Sequence, residues 1–286
     1  MSQSAKIRAT ITSTQKTRKV TSALELVAAS KLNKTQETMA SSRPYADKML
    51  QVIGHVANCN SEYNHPFLME RTVKRVGYIV ISSDRGLCGA LNLALFKETL
   101  QHMQQWQNNK VGIDTCLFGS KAISFFKRHQ LKVLASANHL GDKPSISSVI
   151  GVVQTLLEAY YAGQVDRVYL ASNMHVNTMV QKPRILQLMP LLPCKLEKAP
   201  DYWDYLYEPD AKEVMDLLLN RYIECEVYQG IIENIACEQA ARMLAMKNAT
   251  ENAGDIINGL KLAYNKVRQA SITQELSEIV AGSEAV

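Results

Sequence analysis

The chain has 286 residues, 47% of them hydrophobic and 21% charged, enough apolar material for at least one full core, which excludes a wholly disordered protein. No run approaches the roughly 18 to 20 consecutive apolar residues of a membrane span, and the first thirty residues lack the apolar core of a signal peptide, so a soluble, non-secreted protein is expected. The net charge of +5 is unevenly divided, with nine cations against three anions over residues 1–50 and twelve anions against seven cations over residues 210–286.

Proline placement organises the chain. All eight prolines lie between Pro44 and Pro209, and an interior proline costs a helix roughly 3 kcal/mol, so the two ends are expected to be long helices. The N-terminal arm, residues 1–60, has no glycine before Gly54 and no aromatic before Tyr45. Its Ala, Lys, Gln, Glu, Leu and Met content favours helix. Helix is expected through Arg43, with a bend or restart at Pro44, and Met49, Ile53 and Val56 continue an apolar stripe beyond it. If residues 4–57 are all helical the rod is roughly 80 Å long. Val20, Ala23, Leu24, Val27, Ala28 and Ala29 form its candidate packing stripe.

The middle, residues 74–195, changes period. Arg75 to Ser82 is a β-rich apolar run, followed by the turn Ser83-Asp84-Arg85-Gly86-Leu87-Cys88-Gly89 and helical residues from Ala90 to Gln107. Further strands are expected at Ile113–Phe118, Leu131–Ala135 and Asp166–Ser172, with Ile185–Met189 as a possible edge strand. Helices are expected at Ser120–His129 and Ile146–Tyr161. The alternation predicts a small, doubly wound, mostly parallel α/β sheet.

Two features close the chain. Tyr202-Trp203-Asp204-Tyr205-Leu206-Tyr207-Glu208-Pro209 concentrates aromatics where the globular part gives way to the last arm, as an interface or a packing plug. In the C-terminal arm, residues 209–286, Ile256, Leu260, Ala263, Val267, Ala270, Gln274 and Ser277 recur at alternating spacings of four and three, a coiled-coil seam. Two arms leaving one central domain, one basic and one acidic, are expected to pair antiparallel.

Candidate chemistry is sparse. The turn at 83–89 lacks the spacing of a dinucleotide fingerprint, and Gly119-Ser120-Lys121 lacks the upstream glycine of a P-loop, so a plain βα turn is expected over a phosphate site. The six cysteines, Cys59, Cys88, Cys116, Cys194, Cys225 and Cys237, form no C-x-x-C pair and read as incidental thiols in a reducing compartment. The histidines His55, His65, His102, His129, His139 and His175 have no metal-ligand spacing and are expected to be solvated or capping. Glu224/Glu226 and Glu275/Glu278 read as solvated helix faces. The basic arm has no interleaved aromatics, so nucleic acid is not expected as a partner.

Three segments carry a family resemblance. Ile7-Arg8 with Thr21-Ser22-Ala23-Leu24-Glu25-Leu26-Val27-Ala28-Ala29-Ser30-Lys31 is similar to the N-terminal helix of the gamma subunit of bacterial rotary F-type ATP synthases. Ser82-Ser83-Asp84-Arg85-Gly86-Leu87-Cys88-Gly89-Ala90-Leu91-Asn92 is similar to its first βα turn. Arg268-Gln269-Ala270-Ser271-Ile272-Thr273-Gln274-Glu275-Leu276-Ser277-Glu278-Ile279-Val280 matches its C-terminal signature, with Gly282-Ser283 where the family usually has Gly-Ala. No paired-cysteine insertion of the chloroplast type is present. The resemblance implies an antiparallel coiled coil of the terminal helices plus a central α/β domain. It implies a central rotor shaft that couples a membrane ring to ATP synthesis and hydrolysis in a catalytic hexamer, without being an enzyme itself and without a cofactor or metal. The implied partners are the alpha and beta subunits of the hexamer, the epsilon subunit and the membrane-embedded c-subunit ring, on the cytoplasmic face of a bacterial inner membrane. Thr21, Leu24, Glu25, Arg242, Arg268, Gln269, Thr273, Glu275 and Glu278 are the implied hexamer-facing residues, and Tyr205, Tyr207 and Glu208 the implied foot on the ring.

Overall fold

The computed structural model describes residues 3–59, 65–142, 144–191 and 210–284. In chain order the elements are α1 (Gln3–Cys59), β1 (Arg75–Ile81), α2 (Leu91–Asn108), β2 (Gly112–Phe118), α3 (Ser120–Arg128), β3 (Lys132–Ala137), α4 (Ile146–Tyr161), β4 (Arg167–His175), β5 (Gln181–Met189) and α5 (Ala211–Glu284). The five strands form one sheet in the order β3-β2-β1-β4-β5, parallel except for β5, which runs antiparallel to β4 at the edge. The expected mostly parallel α/β sheet between two long helices is therefore present, including the edge strand.

Alternation along the strands divides the core into two layers, because successive strand side chains point to opposite faces. Val76, Tyr78 and Val80 of β1 pack with Leu95, Phe96 and Met103 of α2 and Ala122 and Phe126 of α3. Ile79 and Ile81 join the other layer with Val149, Val153 and Leu156 of α4, Met49 and Ile53 of α1, and Leu219, Ile223, Val227 and Ile231 of α5. The α5 residues recur at steps of four, a single helical stripe. Each fully buried side chain of this size contributes about 1.5–3 kcal/mol. Gly230 lets the α5 backbone approach the sheet, since a Cβ there would lie 3.1 Å from Ile81 and 3.3 Å from Leu170. Helix α1 continues unbroken through Pro44, with no restart. The burial of Met49 and Ile53 beyond the proline offsets the lost backbone bond.

The chain falls into two compact units, one of residues 1–29 with 242–286 and one of residues 30–241. In the larger unit α5 is also fastened to the sheet by buried polar groups. Asn173 Nδ2 donates to Asn234 Oδ1 at 2.8 Å, the His175 N–H donates to Glu233 at 3.1 Å, and Arg184 pairs with the same carboxylate at 3.5 Å. Glu224, expected on a solvated face, is buried and held by Arg221 at 2.7 Å.

The smaller unit is an antiparallel helix pair. Thr21 Oγ1 lies 2.7 Å from Thr250 Oγ1, and a Cβ on Gly254 would lie 3.8 Å from the Arg18 guanidinium, so α5 advances as α1 retreats. The α5 seam is Met246, Thr250, Ala253, Ile257, Leu260, Tyr264 and Val267, all buried or half-buried at alternating steps of four and three. The sequence seam shares only Leu260 and Val267 with it. Ile256 is 54% exposed, whereas Ile257 is 4% exposed. On α1, Thr21 and Ala28 are buried, while Val20 and Val27 are exposed. Of the apolar stripe drawn from sequence, Ala28 is buried and Leu24 and Ala29 are half-buried, whereas Val20, Ala23 and Val27 point outward.

His65 departs from the solvated or capping role. It is buried, accepts the Phe67 N–H on Nδ1 at 3.0 Å, and reaches Asp216 at the start of α5 through Nε2 at 3.0 Å. Burial holds its pKa below the ordinary value, with Asp216 pulling it partly back. The folded state therefore takes up this proton less readily than the unfolded chain. The resulting stability is present above the unfolded value of 6.5 and is lost as pH falls through the folded value. In urea titrations across pH 5 to 7, His65→Gln is expected to flatten the part of the pH dependence due to this residue; an unchanged slope would refute the assignment. A second expectation concerns Gly119, which has φ 90° and whose added Cβ would overlap the Ser82 carbonyl oxygen. Gly119→Ala is expected to cost about 3 kcal/mol or more in unfolding free energy, read by the same titration.

Candidate functional site

Two places could carry function: the loops at the ends of the parallel strands, and the outward surface of the helix pair. The first tests whether the chain holds a phosphate. An anion at the start of α3 would need its free amides, and all three in the first turn are already used. The Ser120 N–H and hydroxyl donate to Asp84 Oδ1 at 2.9 and 3.0 Å. The Lys121 N–H donates to the Ser83 carbonyl at 3.2 Å, and the Ala122 N–H to Ser82 Oγ at 2.8 Å. Asp84 Oδ2 also accepts the Leu140 N–H at 3.2 Å. The turn after β1 thus supplies its own anion, a carboxylate that caps α3 from a distance and ties three loops together. At α2, Asn92 closes the turn, accepting the Ser83 N–H at 3.2 Å and donating to Ser83 Oγ at 2.7 Å.

The thiols are similarly engaged in structure. Cys88, Cys116 and Cys237 are buried and Cys225 is half-buried. Burial pushes the Cys116 thiol up to about 12 and raises that of Cys237 further, so both stay protonated and unreactive near neutrality. Among the described residues no cluster of histidine, cysteine and carboxylate groups has a metal-binding arrangement. No described helix is long and apolar enough to cross a membrane.

The second place is the helix pair, which leaves bulky apolar side chains outside its seam. Its seam mixes small and polar groups such as Thr21, Ala28, Thr250 and Ala253 with the bulkier Met246, Ile257 and Leu260, and further bulky apolar side chains face outward: Val20, Leu26 and Val27 on α1 are 58%, 70% and 51% exposed, and Ile256 and Leu262 on α5 are 54% and 73% exposed. From Arg268 to Ala281 every residue of α5 is exposed. The Thr21–Thr250 register explains this, because it uses up α1 at about the level of Arg268. Within this stretch Ile272, Leu276 and Ile279 repeat at steps of four and three, 46%, 58% and 67% exposed. They form a helical apolar stripe of the kind that buries against a partner.

The residues singled out from sequence fall in different places. Thr21 is turned into the pair, donating to the Arg18 carbonyl at 3.0 Å as well as meeting Thr250. Leu24, Glu25 and Arg242 are half-buried, and Arg268, Gln269, Thr273, Glu275 and Glu278 lie on the exposed stretch. There Thr273 Oγ1 donates to the Gln269 carbonyl at 3.0 Å, and Gln274 Nε2 donates to Glu278 at 3.0 Å. Tyr205, Tyr207 and Glu208 lie outside the described residues. Sequence reasoning missed Leu26 and Leu262 as outward groups and placed Val20 and Val27 inward. The signal available was the heptad through Ile7, Ile11, Thr14, Thr21 and Ala28, which a count of apolar residues passes over because three of these five are polar or small.

Comparison with known proteins agrees with this geometry. A family model described as ATP synthase matches residues 3–286. ATP synthase gamma chains from two strains of Coxiella burnetii are each 54% identical over 288 residues, covering 100% of both chains. The fold is shared by a chain in the central stalk and c-ring structure of Tetrahymena thermophila mitochondrial ATP synthase, at 22% identity and TM-score 0.58, covering 80% of this chain and 99% of that one. A chain of the Euglena gracilis mitochondrial ATP synthase structure gives 19% identity and TM-score 0.56, covering 92% of this chain and 95% of that one.

Removing the internal anion tests the reading of the βα turn. Asp84→Ala leaves the Ser120 and Leu140 amides unpaired and is expected to cost about 2–3 kcal/mol of stability, measured by chemical denaturation. Nucleotide titration of the unmodified chain is expected to give no binding at this turn.

Proposed function

Because the chain belongs to the ATP synthase gamma-chain family, we propose that it is the central rotor shaft of a proton-translocating F-type ATP synthase, turning with a membrane ring inside a catalytic hexamer. The observation that carries this reading is the bulky apolar surface that the helix pair leaves outside its seam. A shaft must offer its partners apolar contact at every angle, so bulky groups such as Leu26, Leu262 and Leu276 belong outside. In this reading residues 1–60 and 209–286 are the shaft arms and residues 74–195 the central domain. The alpha and beta subunits surround the arms, the epsilon subunit and the c-subunit ring join the other partners, and the assembly sits on the cytoplasmic face of a bacterial inner membrane.

The chain itself performs no bond chemistry; ATP is made and hydrolysed in the hexamer. Its contribution is differential contact. If each orientation of an asymmetric shaft touches the three catalytic subunits differently, rotation shifts their open and closed populations by the difference in contact free energy. A preference of about 1.4 kcal/mol for one stop slows escape about tenfold, so the contacts must be numerous and individually weak. Leu24, Glu25, Arg242, Arg268, Gln269, Thr273, Glu275 and Glu278 are assigned to the hexamer surface, and Thr21 acts from within the pair by fixing its register. Tyr205, Tyr207 and Glu208 are assigned to the foot on the ring.

Reconstitution tests the reading. Purified alpha and beta subunits lacking a gamma chain are expected to gain ATP turnover on adding this chain, while the chain alone is inert; failure to associate, or turnover by the chain alone, would overturn it. In the membrane-coupled complex, Glu278→Lys is expected to lower ATP synthesis about tenfold while moving the isolated chain's stability by less than about 1 kcal/mol. Equal losses in synthesis and stability would remove the interface assignment.

A further inference from the structure

The sheet has two ends, and their charges differ. At the end where the parallel strands begin, Lys74, Arg75, Lys110, Lys127, Arg128 and Lys132 gather around β1, β2 and β3, all exposed except the half-buried Arg75. The neighbouring carboxylates are buried and consumed. Asp114 takes the Arg75 guanidinium at 2.6 and 3.1 Å and lies 3.6 Å from Lys132. Asp166 accepts the Lys74 and Arg75 N–H groups at 2.7 and 3.0 Å. The other acids at this end, exposed or half-buried, keep to the helical side. Glu158 lines a hollow with Leu217 and Arg221 of α5, Glu213 and Asp216 are on α5 itself, and Glu70 adjoins Arg71, which reaches the Tyr160 carbonyl of α4 at 3.3 Å. At the same end α5 begins beside His65, and the chain leaves β5 with the Leu191 N–H bonded to the Phe67 carbonyl. Trp106 is half-buried at the start of β4, beneath the Arg167 guanidinium at 5.6 Å.

We propose that this rim, at the starting ends of β1–β3, is an electrostatic contact for an anionic phospholipid surface. The inference rests on the shaft reading, in which the segment between β5 and α5 meets the membrane ring. The rim lies at that same end but toward β3, where α4 covers the sheet, and away from α5, which crosses β1 and β4 at Gly230. In that arrangement the ring takes the helical side and lipid head groups lie under the rim. Each lysine or arginine brought to a membrane of negative surface potential strengthens binding about fivefold. The attraction reaches only about a Debye length, so it acts without insertion and is compatible with rotation.

The test is co-sedimentation of the full chain with phosphatidylcholine vesicles containing about one third phosphatidylglycerol, at low salt. Binding is expected to the anionic vesicles and not to phosphatidylcholine alone, and to fall at least about tenfold in Lys110→Glu/Lys127→Glu. The charge-matched control Arg85→Glu/Lys121→Glu, at the opposite end of the sheet, is expected to change binding less than about twofold. Absence of anion-selective binding, or equal loss in both variants, would overturn the proposal. So would a rim variant that keeps vesicle binding but loses binding to the detergent-purified ring, because the rim would then meet an acidic protein surface. ATP turnover with soluble alpha and beta subunits is expected to be the same for the rim variant and the unmodified chain. If the unmodified chain gives no turnover, the shaft reading itself has failed, which separates the two results.

Discussion

Burial of one face of α5 against the sheet is the interaction on which the rest of the larger unit depends. The stripe Leu219, Ile223, Val227 and Ile231 fills the layer that β1, β4 and α4 leave open, and Gly230 sets how close the helix can come. An apolar stripe alone would tolerate sliding by a turn, since successive leucines and isoleucines are nearly equivalent. The Asn173–Asn234 hydrogen bond and the Glu233 contacts to His175 and Arg184 supply a register that sliding would break, because buried polar groups lose their partners when displaced. The polar fastening thus specifies position while the apolar stripe supplies most of the free energy.

The smaller unit uses the opposite arrangement. Its seam interleaves Thr21, Ala28, Thr250 and Ala253, which permit close backbone approach, with the buried Met246 and Ile257, and among the described residues no polar network like that of Asn234 and Glu233 runs along it. Other bulky groups are left outside, where they would be a solubility liability in an isolated protein. That cost is intelligible only if a partner covers the surface, which is the physical content of the rotor reading. Asp84 shows a different device in the sheet: its carboxylate takes the Ser120 and Leu140 amides, so an anion at the start of α3 would meet a negative charge already in place.

Much of the fold was legible in the sequence. Proline-free arms marked the terminal helices, and the change of period at Arg75 marked the sheet, with each expected strand found within a few residues. The polar interior was not legible. His65 was expected in solvent because its partner, Asp216, lies far along the chain, and Glu224 was expected on a solvated face because nothing in its neighbourhood tells which side of α5 meets the sheet. The helix seam was missed by one position at Ile256 because Ile256 and Ile257 are equally apolar, and only contact with α1 decides which is buried.

The sequence by itself determined the elements, their order, the absence of recognised catalytic motifs and, through the C-terminal segment from Arg268 to Val280, the family. These are local properties, set by backbone propensity, proline placement and side-chain spacing. Only the tertiary structure decided which face of each long helix is inside, where the α1 register ends and the bare stretch of α5 begins, and that the first-turn amides of α3 are already occupied. Those outcomes depend on pairs such as Thr21 with Thr250 and Asp84 with Ser120. Each is a contact between distant residues whose free energy exists only once the chain has closed on itself.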